Sequence, residues 1–177
     1  LVELRPPRLF TAFSAFTFLP PVMGTPGEDI DGNLWVNVSR NYDANPAAFP
    51  LGAHILAHEI GHALGLDHPG VYNSGANGGA TYATNADIWQ DTAMFSNMSY
   101  FNASFTGGNY GSSYALAPQM FDIAALQRLY GANLSTRVAD TTYGFHANAG
   151  DAVFSVGAAT QTAILCVRDG AGADALD

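Results

Sequence analysis

The spacing of apolar residues predicts strands near the start of the chain and a helix in its first half. Residues 9–19 and residues 33–39 have the short apolar pattern of strands, and turn-forming proline and glycine residues separate them. From residue 51 to residue 64 the apolar positions recur at intervals of three to five, as on one face of a helix. Gly65 follows, and glycine at this position is typical of a helix end.

The second half of the chain is predicted to hold one more helix and several short strands. The helix has Pro118 in its first turn and Gly131 as its stop. Residues 69–117 are rich in glycine, asparagine, serine and tyrosine and lack a clear period, and so long a loop in a compact domain is usually functional. Strand-like stretches come last, at residues 141–145, 152–156 and 163–167.

Charge and cysteine content exclude several classes of function. The chain of 177 residues has 15 acidic residues against 6 basic ones, all arginine, and its net charge is −9. Without a basic patch, nucleic-acid binding is close to excluded and binding to an anionic membrane surface is disfavoured. The single Cys166 excludes an internal disulfide framework and a cysteine-based zinc cluster. No apolar run reaches the roughly 18 residues of a transmembrane helix.

The strongest chemical signal is the segment HEIGHALGLDH, residues 58–68. On a helix His58 and His62 lie one turn apart on the same face, so both imidazoles can bind one metal ion. Gly65 lets the backbone leave the helix with a positive φ, and the returning chain can bring His68 to the same ion. Three neutral nitrogens and one open position are typical of a catalytic zinc, with Glu59 placed to take a proton from bound water.

Two further histidines are not expected to bind this metal. His54 lies one turn before His58, but it is about 12 Å from His62 along a straight helix, too far for both to share one zinc ion. His54 is therefore predicted to lie at the rim of the site or behind a ligand. His146 is predicted to be an ordinary surface or packing residue.

The motif resembles that of the metzincin zinc peptidases, and Pro69 after the third histidine points to the serralysins among them. The segment NMSY, residues 97–100, is similar to the Met-turn of that family, and residues 117–133 closely resemble the helix that follows it. The resemblance implies that Met98 lies beneath the metal and that Tyr100 is an extra zinc ligand at rest and a hydrogen-bond donor during turnover. Without the metal motif, Met98 would be interpreted as a residue that fills an irregular gap in the core, and Tyr100 as a tyrosine with a buried ring and a solvated hydroxyl.

The segment GNLWVN, residues 32–37, is similar to the edge strand of serralysins. In that family this strand pairs with the backbone of the substrate. The resemblance therefore implies that the substrate lies extended along Asn33, Leu34, Trp35, Val36 and Asn37.

The tail DGAGADALD, residues 169–177, approximates one turn of the calcium-binding nonapeptide repeat. Glycine frees the backbone there and aspartate supplies hard oxygen ligands, although a plain Gly/Asp turn accounts for one degenerate copy about as well. The serralysin resemblance implies that the tail and a loop near residue 139 jointly hold calcium. The ligands it implies, several of them through main-chain carbonyls, are Arg137, Ala139, Thr141, Asp169, Ala171 and Asp174.

The expected fold is α+β, with a twisted, mostly parallel sheet that has an antiparallel edge strand, an active-site helix and a second helix. Residues 1–138 are expected to form a metzincin-like zinc protease domain that lacks its N-terminal part. Residues 139–177 are expected to begin a calcium-binding β-roll.

The expected function is that of a secreted zinc endopeptidase with zinc and calcium as cofactors and polypeptides as substrates. The resemblance implies a monomer that leaves a bacterial cell by type I secretion, and it adds a small protein inhibitor as a partner. The alternative is a calcium-ordered binding or structural module with an inactive metal site. Tight zinc binding without hydrolysis would favour that alternative.

Overall fold

The computed structural model describes residues 13–21, 26–27, 29–46, 48–73, 79–159 and 161–177. Residues 9–12 of the first predicted strand lie outside these ranges. The chain divides into two compact units, Leu1–Asp67 and His68–Asp177. The predicted division at residue 138 concerns domains of the family and stays a prediction.

The described residues of the first unit form one antiparallel pair of short strands. Strand β1 (Ala15–Thr17) pairs with β2 (Leu34–Val36), and Phe16 lies opposite Trp35. The two rings stack with their planes 5° apart and their centroids separated by 6.1 Å. Both strands are shorter than the apolar pattern predicts, but their positions agree with it.

The long helix of the first unit forms where the apolar period predicts it. Helix α1 (Asn41–Ala44) precedes α2 (Pro50–Ala63), which packs against α1, β1 and β2. Proline at the start of α2 is favourable because its missing N–H would have no partner in the first turn. The helix begins one residue before the predicted start and ends one residue before the predicted end.

The end of α2 confirms the role predicted for Gly65. This residue has a φ of 88°, in the left-handed region that favours glycine. Its N–H donates to the carbonyl of His62 at 2.8 Å, and the N–H of Leu66 donates to the carbonyl of Gly61 at 2.9 Å. These two bonds form a Schellman motif, which ends the helix sharply and turns the chain back.

The described residues of the second unit form two α-helices, α3 (Tyr82–Asn85) and α4 (Met120–Tyr130). They also form 3₁₀ helices at Ala103–Thr106 and Ala152–Phe154. Helix α4 confirms the second predicted helix, and Gly131 follows it with a φ of 83°. Pro118 is predicted to lie in the first turn of this helix, but it precedes the N-cap residue Gln119 and so lies outside the helix. A capping box between Gln119 and Asp122 fixes the start.

The predicted large sheet is not formed by the described residues. Their strands make two separate pairs, the antiparallel β1–β2 and a parallel pair of β3 (Thr142–Tyr143) with β4 (Ala175–Leu176). The mixture of helix and strand in the expected α+β class is confirmed, whereas the details of a metzincin domain and a β-roll stay predictions.

Two of the strands predicted near the end of the chain are wrong. Residues 152–154 form a 3₁₀ helix, because the Asp151 side chain accepts a hydrogen bond from the Val153 N–H and caps this turn. The described residues within 163–167 form no strand. The prediction for residues 141–145 is confirmed in its centre by β3.

No helix in the described ranges is long and apolar enough to cross a membrane.

Candidate metal centre

Helix α2 supplies two of the predicted metal ligands and the predicted base. His58 and His62 are buried on the same face, one turn apart, and their ring centroids are 4.8 Å apart with the planes nearly perpendicular. Glu59 lies beside His58 in the same turn and is only 8% exposed. An imidazole is fully hydrated on the surface, and burying it is costly unless its nitrogens have partners. The burial of both rings is therefore a first indication of a specific site.

Backbone carbonyls orient two of the three imidazoles. Nδ1 of His62 is 2.7 Å from the carbonyl oxygen of Leu66, and Nδ1 of His68 is 2.8 Å from the carbonyl oxygen of Tyr72. Because a carbonyl oxygen only accepts, each Nδ1 carries the proton, and in the neutral imidazole Nε2 is then the unprotonated nitrogen. This arrangement of a histidine ligand and a carbonyl partner is usual for metal-binding histidines.

The three predicted ligands meet in space. One ligand nitrogen from each of His58, His62 and His68 lies within 4.8 Å of the other two. Among the described residues, these three side chains form the candidate group for holding a metal ion. Zinc–nitrogen bonds of ~2.1 Å at tetrahedral angles place the nitrogens about 3.4 Å apart. Small rotations of the three imidazole rings would bring their nitrogens to this separation. The donor set therefore fits zinc.

The remaining histidines are His54 and His146, and the position of His54 at the rim of the site stays a prediction. His54 is half-buried and does not belong to the group of three. His146 is exposed, and its Nδ1 contacts the carboxylate of Asp177 at the surface.

The carboxylate of Glu59 is available as a proton acceptor. Burial raises the pKa of Glu59, and the nearby Thr17 hydroxyl opposes this shift. Its Oε2 is buried and has no hydrogen-bond partner among the described residues. A carboxylate oxygen without a partner beside a candidate metal site can receive a proton from a water molecule.

The structure brings Tyr100 to the third ligand. The ring centroid of Tyr100 lies 4.4 Å from that of His68 and 5.2 Å from that of Tyr72. Tyr100 is 42% exposed. Its role as a ligand and a hydrogen-bond donor stays a prediction.

Met98 is nearly completely buried, with 2% of its surface exposed. Its N–H donates to the hydroxyl of Ser96 at 3.1 Å, which fixes the turn that contains both residues. Burial agrees with a Met-turn and with simple filling of the core, so the position beneath the metal stays a prediction.

An aspartate that the sequence analysis did not single out fixes this turn. Asp122 on α4 is 3% exposed and accepts three hydrogen bonds. The donors are the Ser96 hydroxyl at 2.6 Å, the Asn97 N–H at 2.7 Å and the Gln119 N–H at 2.8 Å. The N-cap residue is glutamine and not the serine or threonine of the usual capping-box pattern, so the sequence did not mark Asp122.

A second such aspartate is fully buried. Asp91 is 0% exposed, and its Oδ1 accepts hydrogen bonds from the Tyr72 hydroxyl at 2.8 Å and from the Ser99 hydroxyl at 2.6 Å. Burial raises the pKa of Tyr72, so its hydroxyl remains a donor. Asp91 lies in a loop without periodicity, and nothing in the sequence marks it.

The two segments predicted to hold calcium lie against each other. The Thr141 N–H donates to Asp174 Oδ1 at 3.0 Å, and the guanidinium of Arg137 is 4.0 Å from a carboxylate oxygen of Asp169. Several of the predicted ligand oxygens already accept hydrogen bonds within the chain, among them the carbonyl of Ala139, which accepts from the Thr141 hydroxyl. Coordination by the six predicted residues stays a prediction.

The predicted substrate strand has a free edge among the described residues. β2 pairs with β1 alone, and the Asn37 N–H donates to the Ser14 carbonyl at 2.8 Å. Because hydrogen-bonding direction alternates in an antiparallel pair, Leu34 and Val36 point their peptide groups away from β1. Pairing with a substrate stays a prediction.

The three buried histidines, two of them with Nδ1 held by a backbone carbonyl, form a donor set of the kind that can hold one metal ion through imidazole nitrogens. Residues 132–177 match the family model described as "Peptidase M10 serralysin C terminal". The chain is also 44% identical over 170 residues to "Metalloprotease AprA" of Pseudomonas entomophila (strain L48), covering 93% of this chain and 34% of the relative.

Other relatives agree. "Serralysin B" of Dickeya chrysanthemi is 40% identical over 148 residues, which is 84% of this chain and 31% of the relative. "Serralysin" of Proteus mirabilis is 36% identical over 167 residues, with 93% and 33% covered. The predicted relationship is thereby confirmed, and the chain is related to the serralysin-type metalloproteases over most of its length. It spans about a third of the length of these relatives.

Proposed function

We propose that this chain carries the catalytic zinc site of a secreted endopeptidase. The observation that carries the proposal is the convergence of His58, His62 and His68, with the buried Glu59 next to His58. A zinc ion held by these three imidazoles would supply a Lewis acid that polarises the scissile carbonyl and lowers the pKa of a water molecule. The names of the relatives support a protease.

Glu59 acts as the general base. Its Oε2 has no hydrogen-bond partner among the described residues, and so it is free to accept the proton of the attacking water. The protonated carboxyl then donates this proton to the amine that leaves when the peptide bond breaks. Water adds to the carbonyl carbon and the C–N bond is cleaved, so the products are a carboxylate and an amine.

Tyr100 and β2 orient the substrate. The half-exposed Tyr100 donates a hydrogen bond to the carbonyl oxygen as negative charge develops on it. The N–H and carbonyl of Leu34 and the N–H of Val36 pair with an extended substrate, which thereby adds a strand to the β1–β2 pair, whereas the Val36 carbonyl already accepts the Val38 N–H at 3.1 Å.

Calcium is proposed to order the C-terminal part of the second unit. The contacts between residues 137–141 and residues 169–174 support this, because a calcium ion bound by both segments would hold them together. Action outside the cell, a single-chain state and binding of a small protein inhibitor remain predictions from the family.

The test is digestion of casein by this chain with two chelators, together with metal analysis of the same sample. A zinc-selective chelator such as 1,10-phenanthroline should stop cleavage, and added zinc should restore it. A calcium-selective chelator should lower the unfolding temperature while about one zinc per chain is retained. Zinc binding without any cleavage would instead favour the calcium-ordered, inactive module.

The change Tyr100→Phe tests the role of the hydroxyl. We expect kcat to fall by about 10²-fold, as for a single donor to an oxyanion, while KM and zinc content change little. The phenyl ring keeps the contacts with His68 and Tyr72. Measured kcat equal to that of the unchanged chain would remove Tyr100 from the mechanism.

A further inference from the structure

We propose that Asp91 is a positioning residue, which sets the orientation of His68 and the place of Tyr100 through the hydroxyl groups of Tyr72 and Ser99. The proposal deepens the proposed function and rests on it for its catalytic consequence. It concerns residues of the second unit alone.

The first connection runs from Asp91 to the metal ligand. Asp91 Oδ1 accepts the Tyr72 hydroxyl proton at 2.8 Å, and the carbonyl of the same tyrosine accepts from Nδ1 of His68 at 2.8 Å. The Tyr72 ring also stacks on the His68 ring, with a centroid separation of 5.2 Å and planes 11° apart. One residue therefore holds His68 by its carbonyl and by its ring, and Asp91 holds that residue by its hydroxyl.

The second connection runs from Asp91 to Tyr100. The same Oδ1 accepts the Ser99 hydroxyl proton at 2.6 Å, and the Ser99 oxygen accepts the Phe101 N–H at 3.1 Å. Tyr100 stands between these two residues in the chain, so its backbone is fixed on both sides. Its ring contacts His68 and Tyr72.

The close approach of the loop that contains Tyr72 to the loop that contains Asp91 depends on Gly70. A Cβ atom at this position would lie 2.5 Å from the Asn85 carbonyl oxygen and 2.9 Å from the Tyr72 ring. It would also lie 3.2 Å from Asp91 Oδ2. The absence of a side chain at Gly70 therefore lets the loop of residues 68–72 approach Asp91.

The carboxylate of Asp91 is shared by two hydroxyl donors. A fully buried aspartate is costly unless its oxygens accept hydrogen bonds. Oδ1 accepts the two hydroxyl protons, and Oδ2 is buried without a hydrogen-bond partner among the described residues. Asp91 uses one oxygen for both hydroxyls, so loss of either donor disturbs the other. The hydrogen bonds that join Asp91 to Tyr72 and Ser99 then set the distance between His68 and Tyr100.

The test compares Tyr72→Phe with Tyr110→Phe. The first removes the donor to Asp91 and keeps the ring and the carbonyl. The second removes the hydroxyl of another part-buried tyrosine of the same unit, which donates to the Ala93 carbonyl at 3.4 Å. In the metal-free chain, NMR of the imidazole nitrogens should find His68 with its proton on Nδ1. Tyr72→Phe should mix the two tautomers, and Tyr110→Phe should not.

Zinc affinity and the visible spectrum of the cobalt-substituted chain give two more readouts. Tyr72→Phe should weaken zinc binding by about tenfold, at the lower end of the effect of groups that orient metal ligands, and should shift the cobalt bands. Asp91→Ala should do the same, and Asp91→Asn, whose amide oxygen still accepts, should recover most of the loss.

An unchanged His68 tautomer in Tyr72→Phe overturns the proposal, as does equal zinc affinity in Asp91→Ala and the unchanged chain. Because the tautomer is measured without metal or substrate, this result is obtained whether or not the chain cleaves peptides. Failure of the proposed function appears separately, as the absence of casein cleavage in the unchanged chain.

Discussion

Replacing Glu59 by glutamine is expected to lower kcat by about 10³-fold, within the range of a general base, while about one zinc per chain remains bound. The amide keeps the size of the side chain but cannot take a proton from water. The three imidazoles are unchanged, so the metal site stays intact. Steady-state cleavage of a fluorogenic peptide and metal analysis of the same sample measure both effects.

Asp87→Asn is the matched control for this variant. It makes the same chemical change at an exposed carboxylate outside the proposed site. It should retain the kcat of the unchanged chain. Peptidase activity of Glu59→Gln at the level of Asp87→Asn would contradict the assignment of the base.

The change Asp122→Ala is expected to lower the free energy of unfolding by about 3 kcal/mol, because it leaves several buried donors without an acceptor. The donors are the Ser96 hydroxyl and the N–H groups of Asn97 and Gln119. Their loss frees both the turn that carries Met98 and the start of α4. Urea unfolding followed by circular dichroism measures the change.

Asp151→Ala provides the comparison. Asp151 also accepts an N–H at the start of a helical turn, but it is exposed and makes one such bond, to Val153. Its loss should cost about 1 kcal/mol, as for an ordinary cap. An Asp122→Ala variant that loses no more stability than Asp151→Ala would show that the buried network does not hold the turn.

The parts of the site that could be predicted from the sequence are those that depend on neighbours along the chain. Helical spacing places His58 and His62 on one face, and Gly65 ends the helix through a motif of adjacent residues. His68 follows within one short turn. Local chemistry was therefore sufficient to predict the group of three histidines.

The parts that could not be predicted depend on contacts between distant segments. Asp91 and Tyr72 are 19 residues apart, and Asp122 and Ser96 are 26 residues apart. Nothing in a periodic pattern reports such pairs, because each member lies in a loop or at a helix end. The strand predicted at residues 152–156 failed for a different reason, since the cap by Asp151 overrides the β-propensity of the valine and phenylalanine that follow.

The central claim is that His58, His62 and His68 hold one zinc ion, and anomalous diffraction at the zinc edge tests it most directly. Crystals of this chain grown with zinc should show one strong peak at ~2.1 Å from a nitrogen of each of the three residues. A peak that lies elsewhere, or the absence of any peak at the three histidines, would contradict the account.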